Sequence, residues 1–240
     1  MEIAKSVLIT GASRGIGRQL ALDCAAHGMS VAINYLSSHS AAEQVAQEAE
    51  AFGGRVTLVR ADCSQPADVT TMVEHVVDQF DRIDCLVNNA GIGEPTDLAH
   101  ITEDHFDNVI RNNLRSAFLV TQGVLPHMTA YGGRLVFMSS LAARTGGMVS
   151  AAYAASKGGL EGLMHYYATN LMRDGITANA IAPALISTDM VDRMNHPAAA
   201  DLPLGRLGQP EEIWPALRMI MESPYITGQT IHVNAGMYMT

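Results

Sequence analysis

The chain predicts an α/β fold, a doubly wound parallel sheet of about seven strands with helices on both faces, folded as one domain over residues 1–240. Three observations carry this expectation. Short β-prone apolar runs of about five residues alternate with helical stretches of about ten to fifteen, the pattern of βαβ units. The first run ends directly in Gly11-Ala12-Ser13-Arg14-Gly15-Ile16-Gly17, a glycine turn that opens a helix. Thr10, Asn34, Asp62, Asn88 and Ser140 all fall at strand carboxyl ends, where ligands gather in such sheets.

In order, the lead-in Met1-Glu2-Ile3-Ala4-Lys5 shows no signal-peptide profile, and Ser6-Val7-Leu8-Ile9-Thr10 is the first strand. Leu20, Ala21, Cys24 and Ala25 give the next helix its apolar stripe. Glycines let the backbone approach a pyrophosphate, and the helix amino end supplies free N–H groups and positive partial charge. Gly11, Ser13, Arg14, Gly15, Ile16 and Gly17 are therefore candidate cofactor contacts. The same letters satisfy the GxSxG pattern of a hydrolase elbow, but only one strand precedes Ser13 and no His sits in a suitable context.

Val31-Ala32-Ile33 is the second strand, followed by Asn34-Tyr35-Leu36-Ser37-Ser38. In a dinucleotide fold an acidic residue here would bind the adenosine ribose and repel a 2′-phosphate. None is present, and Ser37 and Ser38, with Arg14, could hold that phosphate. This favours NADP(H) over NAD(H), the alternative being a neutral loop that accepts either.

A polar-faced helix over 41–52, the strand Arg55-Val56-Thr57-Leu58-Val59 with Asp62 beyond it, a helix from Pro66 to Phe80, and the strand Ile83-Asp84-Cys85-Leu86-Val87 follow. That strand stops at Asn88-Asn89-Ala90-Gly91. Residues 101–128 carry two helical patterns, broken near Asn112-Asn113, where a locally bonded side chain can open the backbone ladder and free a carbonyl for a water.

Arg134-Leu135-Val136-Phe137-Met138 is a strand ending at Ser140, and Ser150 can cap the helix that follows. Tyr153 and Lys157 stand at i and i+4 on that helix. Bringing a phenol of pKa about 10 near neutrality takes about 4 kcal/mol, which one ammonium at about 4 Å can supply. Alone, the pair reads equally as a packed ring and a solvated amine. Ile176-Thr177-Ala178-Asn179-Ala180-Ile181 runs to Pro183, residues 187–204 read as a short cover over the cleft or equally as an ordinary surface loop, Pro210 opens the last helix, and Thr230-Ile231-His232-Val233 is the final strand.

Fifteen basic and 24 acidic residues give a net charge of -9, which disfavours nucleic acid and anionic membranes as partners. Cys24, Cys63 and Cys85 lack CxxC spacing, the histidines form no HExxH cluster, and no apolar run is long enough to span a bilayer. A cytoplasmic, metal-independent protein is expected.

With these pieces placed, the chain resembles the short-chain dehydrogenase/reductase family over its whole length. The likeness rests on Thr10-Gly11-Ala12-Ser13-Arg14-Gly15-Ile16-Gly17, Asp62, Asn88-Asn89-Ala90-Gly91, Asn113, Ser140, Tyr153 and Lys157. Within the family it looks most like the bacterial 3-oxoacyl-acyl carrier protein reductases, through Arg206-Leu207-Gly208, Tyr225-Ile226-Thr227-Gly228 and the tail from His232. The resemblance implies a Rossmann-type fold and NADPH-dependent hydride transfer to a ketone, foremost a 3-oxoacyl thioester on acyl carrier protein or coenzyme A. A small ketone, quinone or steroid substrate is the alternative, and a non-catalytic dinucleotide sensor the reading from another class. It implies that Tyr153 is the acid, that Lys157 lowers its pKa and holds the nicotinamide ribose, that Ser140 binds the substrate oxygen, and that Asn113 keeps the kink open for a water. It also implies Asp62 and Cys63 at the adenine, Asn89, Ala90 and Gly91 at the adenosine and phosphates, and Pro183, Ile186 and Thr188 near the nicotinamide.

A homotetramer is implied too, joined through 101–128 and 151–173, where Gly158, Gly159 and Gly162 suit either a close neighbour or packing within one subunit. Ala184 and Ala235 stand where those reductases usually have Gly, and Tyr131 and Asp174 where they carry basic residues that receive the carrier protein.

Overall fold

A computed structural model describes residues 6–128, 132–194 and 196–239. The expected lead-in and Tyr131 lie outside these. One seven-stranded sheet has the order β3-β2-β1-β4-β5-β6-β7, with every pairing parallel. Its strands are β1 (Ser6–Ile9), β2 (Ser30–Tyr35), β3 (Val56–Arg60), β4 (Cys85–Asn88), β5 (Gly133–Met138), β6 (Ile176–Pro183) and β7 (Thr230–Val233). The helices are α1 (Gly15–Ala26), α2 (His39–Glu50), α3 (Pro66–Phe80), α4 (Glu103–Ile110), α5 (Ser116–Met128), α6 (Ala142–Thr145), α7 (Ala151–Leu171), α8 (Asp189–Asp192) and α9 (Trp214–Glu222).

The strands alternate, yet both faces are apolar because both are covered. Val7, Ile9, Val31, Ile33, Val136 and Met138 point to one side, onto Leu20 and Cys24 of α1, Val45 of α2 and Leu217 of α9. Leu8, Ala32, Leu86, Leu135 and Phe137 point to the other, onto Val76 of α3, Val124 of α5 and Met164 of α7. Such near-continuous apolar strands are what a sheet buried on two faces requires. The order reverses after β1, and at that switch point the carboxyl ends of β1 and β4 lie side by side, opening a crevice.

Boundaries follow the expected chemistry. Ser150 caps α7, its hydroxyl accepting from the Tyr153 N–H at 3.2 Å. Pro66 occupies the first turn of α3, where its missing N–H costs nothing. The break expected near Asn112-Asn113 is a π-turn, Arg111–Arg115, between α4 and α5. Among the described residues no helix is long and apolar enough to cross a membrane.

Candidate active site

α1 starts without a side-chain cap: its N-cap Arg14 is extended and makes no capping hydrogen bond. The first-turn N–H groups therefore remain available to an anion. Gly11 and Gly15 take φ of +63° and +56°, where L side chains are strained. At Gly17 a Cβ would lie 2.4 Å from Asn89 Nδ2 and 2.7 Å from the Gly11 carbonyl, so only glycine fits.

That turn is tied to β4. Asn89 Nδ2 donates to the Thr10 and Gly11 carbonyls at 2.9 and 3.1 Å. The Thr10 hydroxyl accepts from the N–H groups of Asn89 and Ala90 at 3.0 and 2.9 Å. From the other side Asn34, 2% exposed, accepts from Gly11 N–H at 3.1 Å and donates to the Val59 and Ala61 carbonyls. Asn34 reaches the cleft, but its carboxamide is committed to bracing the turn rather than left for a ligand.

The crevice is a cleft of about 460 Å³. It gathers Gly11, Ser13, Arg14, Gly15, Ile16, Gly17, Asn34, Ser37, Asp62, Cys63, Asn89, Ala90, Gly91, Ser140, Tyr153, Lys157, Pro183, Ile186 and Thr188 on its walls. Asn113 does not line it. An uncapped helix end, a glycine cradle that a Cβ would fill, and an elongated cleft with no acidic residue at the β2 end suit a dinucleotide, and the residues present fit that group.

At the far end lies the expected trio. Tyr153 is 9% exposed, and the Ser140 side chain stands beside its hydroxyl, close enough to act on its pKa. Lys157, 6% exposed, donates from Nζ to the Met138 carbonyl at 2.7 Å and lies 5.4 Å from the centroid of the Tyr153 ring. Burial lowers this amine to about 8. Burial likewise raises the Tyr153 phenol above its ordinary value, against which the neighbouring Ser140 side chain acts. The expected depression of Tyr153 by Lys157 is thus not found in the chain alone: the amine bonds the Met138 carbonyl and lies over the ring.

Asn113 departs from expectation in another way. The local bond is made by its neighbour, Asn112 Nδ2 donating to the Asn108 carbonyl at 2.8 Å. Asn113, 1% exposed, instead reaches across: its Oδ1 accepts from Ile92 N–H at 2.7 Å, and its Nδ2 donates to the Ile92 carbonyl at 2.9 Å and to Ser156 Oγ at 3.1 Å. It pins the chain after β4 to α7, next to Lys157. Ser156 and the Met138 carbonyl escaped the sequence reading. A backbone acceptor leaves no mark in sequence, and Ser156 reads as one small polar helix residue among several.

Around Tyr153 the wall is apolar. Ile92, Val149, Met190 and Met194 pack against it, and Met148 lines the cleft beside them. A Cβ on Gly93 would lie 2.9 Å from Met190 Sδ and 3.3 Å from the Tyr153 ring. Met190 belongs to the segment expected as a cover. This segment carries α8 and a 3-10 turn, Ala199–Asp201. Its base is closed by Ser187 N–H to the Gly208 carbonyl at 2.8 Å and Gly208 N–H to the Leu185 carbonyl at 3.1 Å.

Three glycines of α7 separate. Gly159 is filled from within, since a Cβ there would meet Leu114 at 2.7 Å. Among the described residues, and apart from the helix's own backbone, nothing lies within 4 Å of a Cβ at Gly162, and at Gly158 only the Ala143 carbonyl does, at 3.9 Å. Ala235 adopts φ of +52°, the left-handed conformation that a glycine would favour.

Sheet order, glycine turn and the Ser140–Tyr153–Lys157 cluster define a nicotinamide-dependent oxidoreductase: the chain belongs to the short-chain dehydrogenase/reductase family. A family model described as enoyl-(acyl carrier protein) reductase matches residues 11–238. The chain is 40% identical over 246 residues, all of both chains, to the 3-oxoacyl-(acyl-carrier-protein) reductase FabG of Staphylococcus aureus. It is 41% identical over 241 residues to the 3-oxoacyl-(acyl-carrier-protein) reductase of Synechocystis sp., and 36% identical over 242 to FabG of Salmonella typhimurium, covering 98% of each chain in both cases. The chain is an NAD(P)-dependent carbonyl reductase.

Proposed function

We propose that the chain reduces the ketone of a 3-oxoacyl thioester, using NADPH in preference to NADH. The observation that carries this reading is the Tyr153 hydroxyl, set beside Ser140 in the cleft they share with Lys157, beneath an apolar, methionine-lined wall. A bound reduced nicotinamide supplies hydride to the carbonyl carbon. Tyr153 donates its phenolic proton to the carbonyl oxygen, and Ser140 donates a hydrogen bond to that oxygen as charge develops on it. Lys157 supplies positive charge beside the forming phenolate, and Asn113 holds α7 and the β4 loop in register.

Gly11, Ser13, Arg14, Gly15, Ile16 and Gly17 hold the pyrophosphate. Arg14, Ser37 and Ser38 take the 2′-phosphate, and Asp62 and Cys63 lie at the adenine. Asn89, Ala90 and Gly91 shape the adenosine side through backbone, and Pro183, Ile186 and Thr188 meet the nicotinamide. Ile92, Met148, Val149, Met190 and Met194 accept the acyl chain, since flexible thioethers conform to apolar chains of varied shape. Residues 187–204 act as its lid within a single domain. The assembly is a homotetramer, supported by the open surroundings of Gly162 on α7. The setting is the cytoplasm, consistent with three free cysteines.

Turnover with NADPH and NADH across acetoacetyl thioester, crotonyl thioester, small ketones, a quinone and a steroid ketone tests this. Acetoacetyl thioester with NADPH is expected to be the best pair. No thioester turnover beside good ketone turnover would transfer the assignment to the small-ketone reading, and tight NADPH binding without any reduction would point to a sensor.

A further inference from the structure

Outside the trio, one buried carboxylate touches both sides of the site. Glu161 lies one turn beyond Lys157 on α7, with its side chain 6% exposed. Its Oε1 accepts the Ser139 hydroxyl at 2.9 Å, and its Oε2 pairs with Arg144 at 2.6 Å. Ser139 and Arg144 bracket the stretch that carries Ser140. Within it, Ala142 N–H donates to Ser140 Oγ at 3.2 Å and Ala143 N–H to the Ser140 carbonyl at 3.0 Å. The Ser139 hydroxyl also lies 3.3 Å from the Lys157 carbonyl. One carboxylate therefore grips both ends of the turn presenting Ser140, from the helix presenting Tyr153 and Lys157.

We propose that Glu161, with Arg144 and Ser139, is a positioning residue that fixes Ser140 against Tyr153 across the seam between β5 and α7. An ion pair between a buried carboxylate and a part-exposed guanidinium adds little net stability, so stability alone is a weak reason for one here. What two bonds from one rigid carboxylate do supply is a fixed separation between two chain segments. Hydrogen bonding of Ser140 and Tyr153 to one carbonyl oxygen depends on that separation, and a misplacement of about 1 Å costs about 100-fold in rate. The inference rests on the roles assigned to Ser140 and Tyr153 above.

The test uses Glu161→Gln, which keeps shape and an acceptor for Ser139 but removes the charge, and Arg144→Gln, on a side chain 38% exposed. Each is assayed for carbonyl reduction and for NADPH affinity, with Tyr153→Phe alongside. Expected is a fall in kcat of about 10- to 100-fold in both, with KM and NADPH affinity within about twofold of wild type. The double variant should lose no more than the worse single one, because both remove one brace. Arg144→Lys should recover much of the loss. Unchanged kcat in both variants overturns the proposal, as does a fall in step with the folded fraction measured by circular dichroism. If Glu161→Gln fails to fold, Arg144→Gln decides. If Tyr153→Phe itself keeps full turnover, the proposed function fails rather than the brace.

Discussion

Lys157 Nζ stands 5.4 Å from the centroid of the Tyr153 ring while it donates to the Met138 carbonyl at 2.7 Å. The ammonium is held by a β5 backbone oxygen, not by a carboxylate, so burial acts on it with no neighbouring negative side chain to offset it. This lowers it to about 8. Reduction needs Lys157 charged and Tyr153 protonated, so kcat/KM should fall about tenfold per pH unit above the Lys157 value. The alkaline limb of a pH–rate profile checks this, and Lys157→Arg, if active, should move it out of range. A profile flat through that region would remove Lys157 from the proton chemistry.

The same shift predicts a stability effect. The folded value, about 8, lies below the unfolded 10.5. Between them the unfolded chain binds more protons, so this group makes the fold more stable as pH rises, and its full penalty applies below the folded value. Relative to Lys157→Met, wild type should gain about 3 kcal/mol from neutral to strongly alkaline pH. Urea unfolding of both proteins across that range measures it, and a constant gap would contradict it.

Asn113→Ala removes one acceptor and two donors at once and leaves both polar groups of the Ile92 backbone without their partner. Unfolding free energy should drop by about 2–3 kcal/mol. Turnover should fall as well, since α7 loses its tie to the β4 loop. Denaturant titration together with kcat tests both; a stable variant with normal turnover would mean that the π-turn holds without this clamp.

Ala235 sits at φ of +52°, where a Cβ is strained. Ala235→Gly should stabilise the chain by about 1 kcal/mol, or about 2–4 °C in Tm. Calorimetry decides it, with a lowered Tm as the contrary result.

Gly162→Ala should strengthen α7 in an isolated chain by about 1 kcal/mol, because among the described residues nothing beyond the helix's own backbone lies within 4 Å of the added methyl. If α7 is an assembly face as proposed, the methyl should instead weaken the homotetramer. Sedimentation over a concentration series reads this out. An intact assembly with raised Tm would place this face in solvent.

Sequence showed the fold's outline plainly, because strands buried on both faces and a glycine turn at the first strand end are local patterns. It showed Tyr153, Lys157 and Ser140 for the same reason: residue type and spacing carry their chemistry. What it hid was partnership. Asn113 and its neighbour Asn112 look alike as letters, yet one bonds four residues back along its helix while the other crosses to Ile92 and Ser156. Asn34 reads as a ligand contact, although its amide is spent on Gly11, Val59 and Ala61. The environment of Lys157 was equally out of reach, since its charge state depends on burial and its ammonium bonds a backbone oxygen nineteen residues away, in no local pattern.

The paired hydrogen bonds between Ser187 and Gly208, and between Gly208 and Leu185, pinch the chain shut beneath the cover. Everything distal to that pinch leaves and re-enters the scaffold at nearly one point, so it can be exchanged as a cassette. Grafting the corresponding span from a relative of different chain-length preference, with Leu185, Ile186, Thr188 and Gly208 retained, should therefore transplant selectivity while the sheet and the nucleotide-facing half stay untouched.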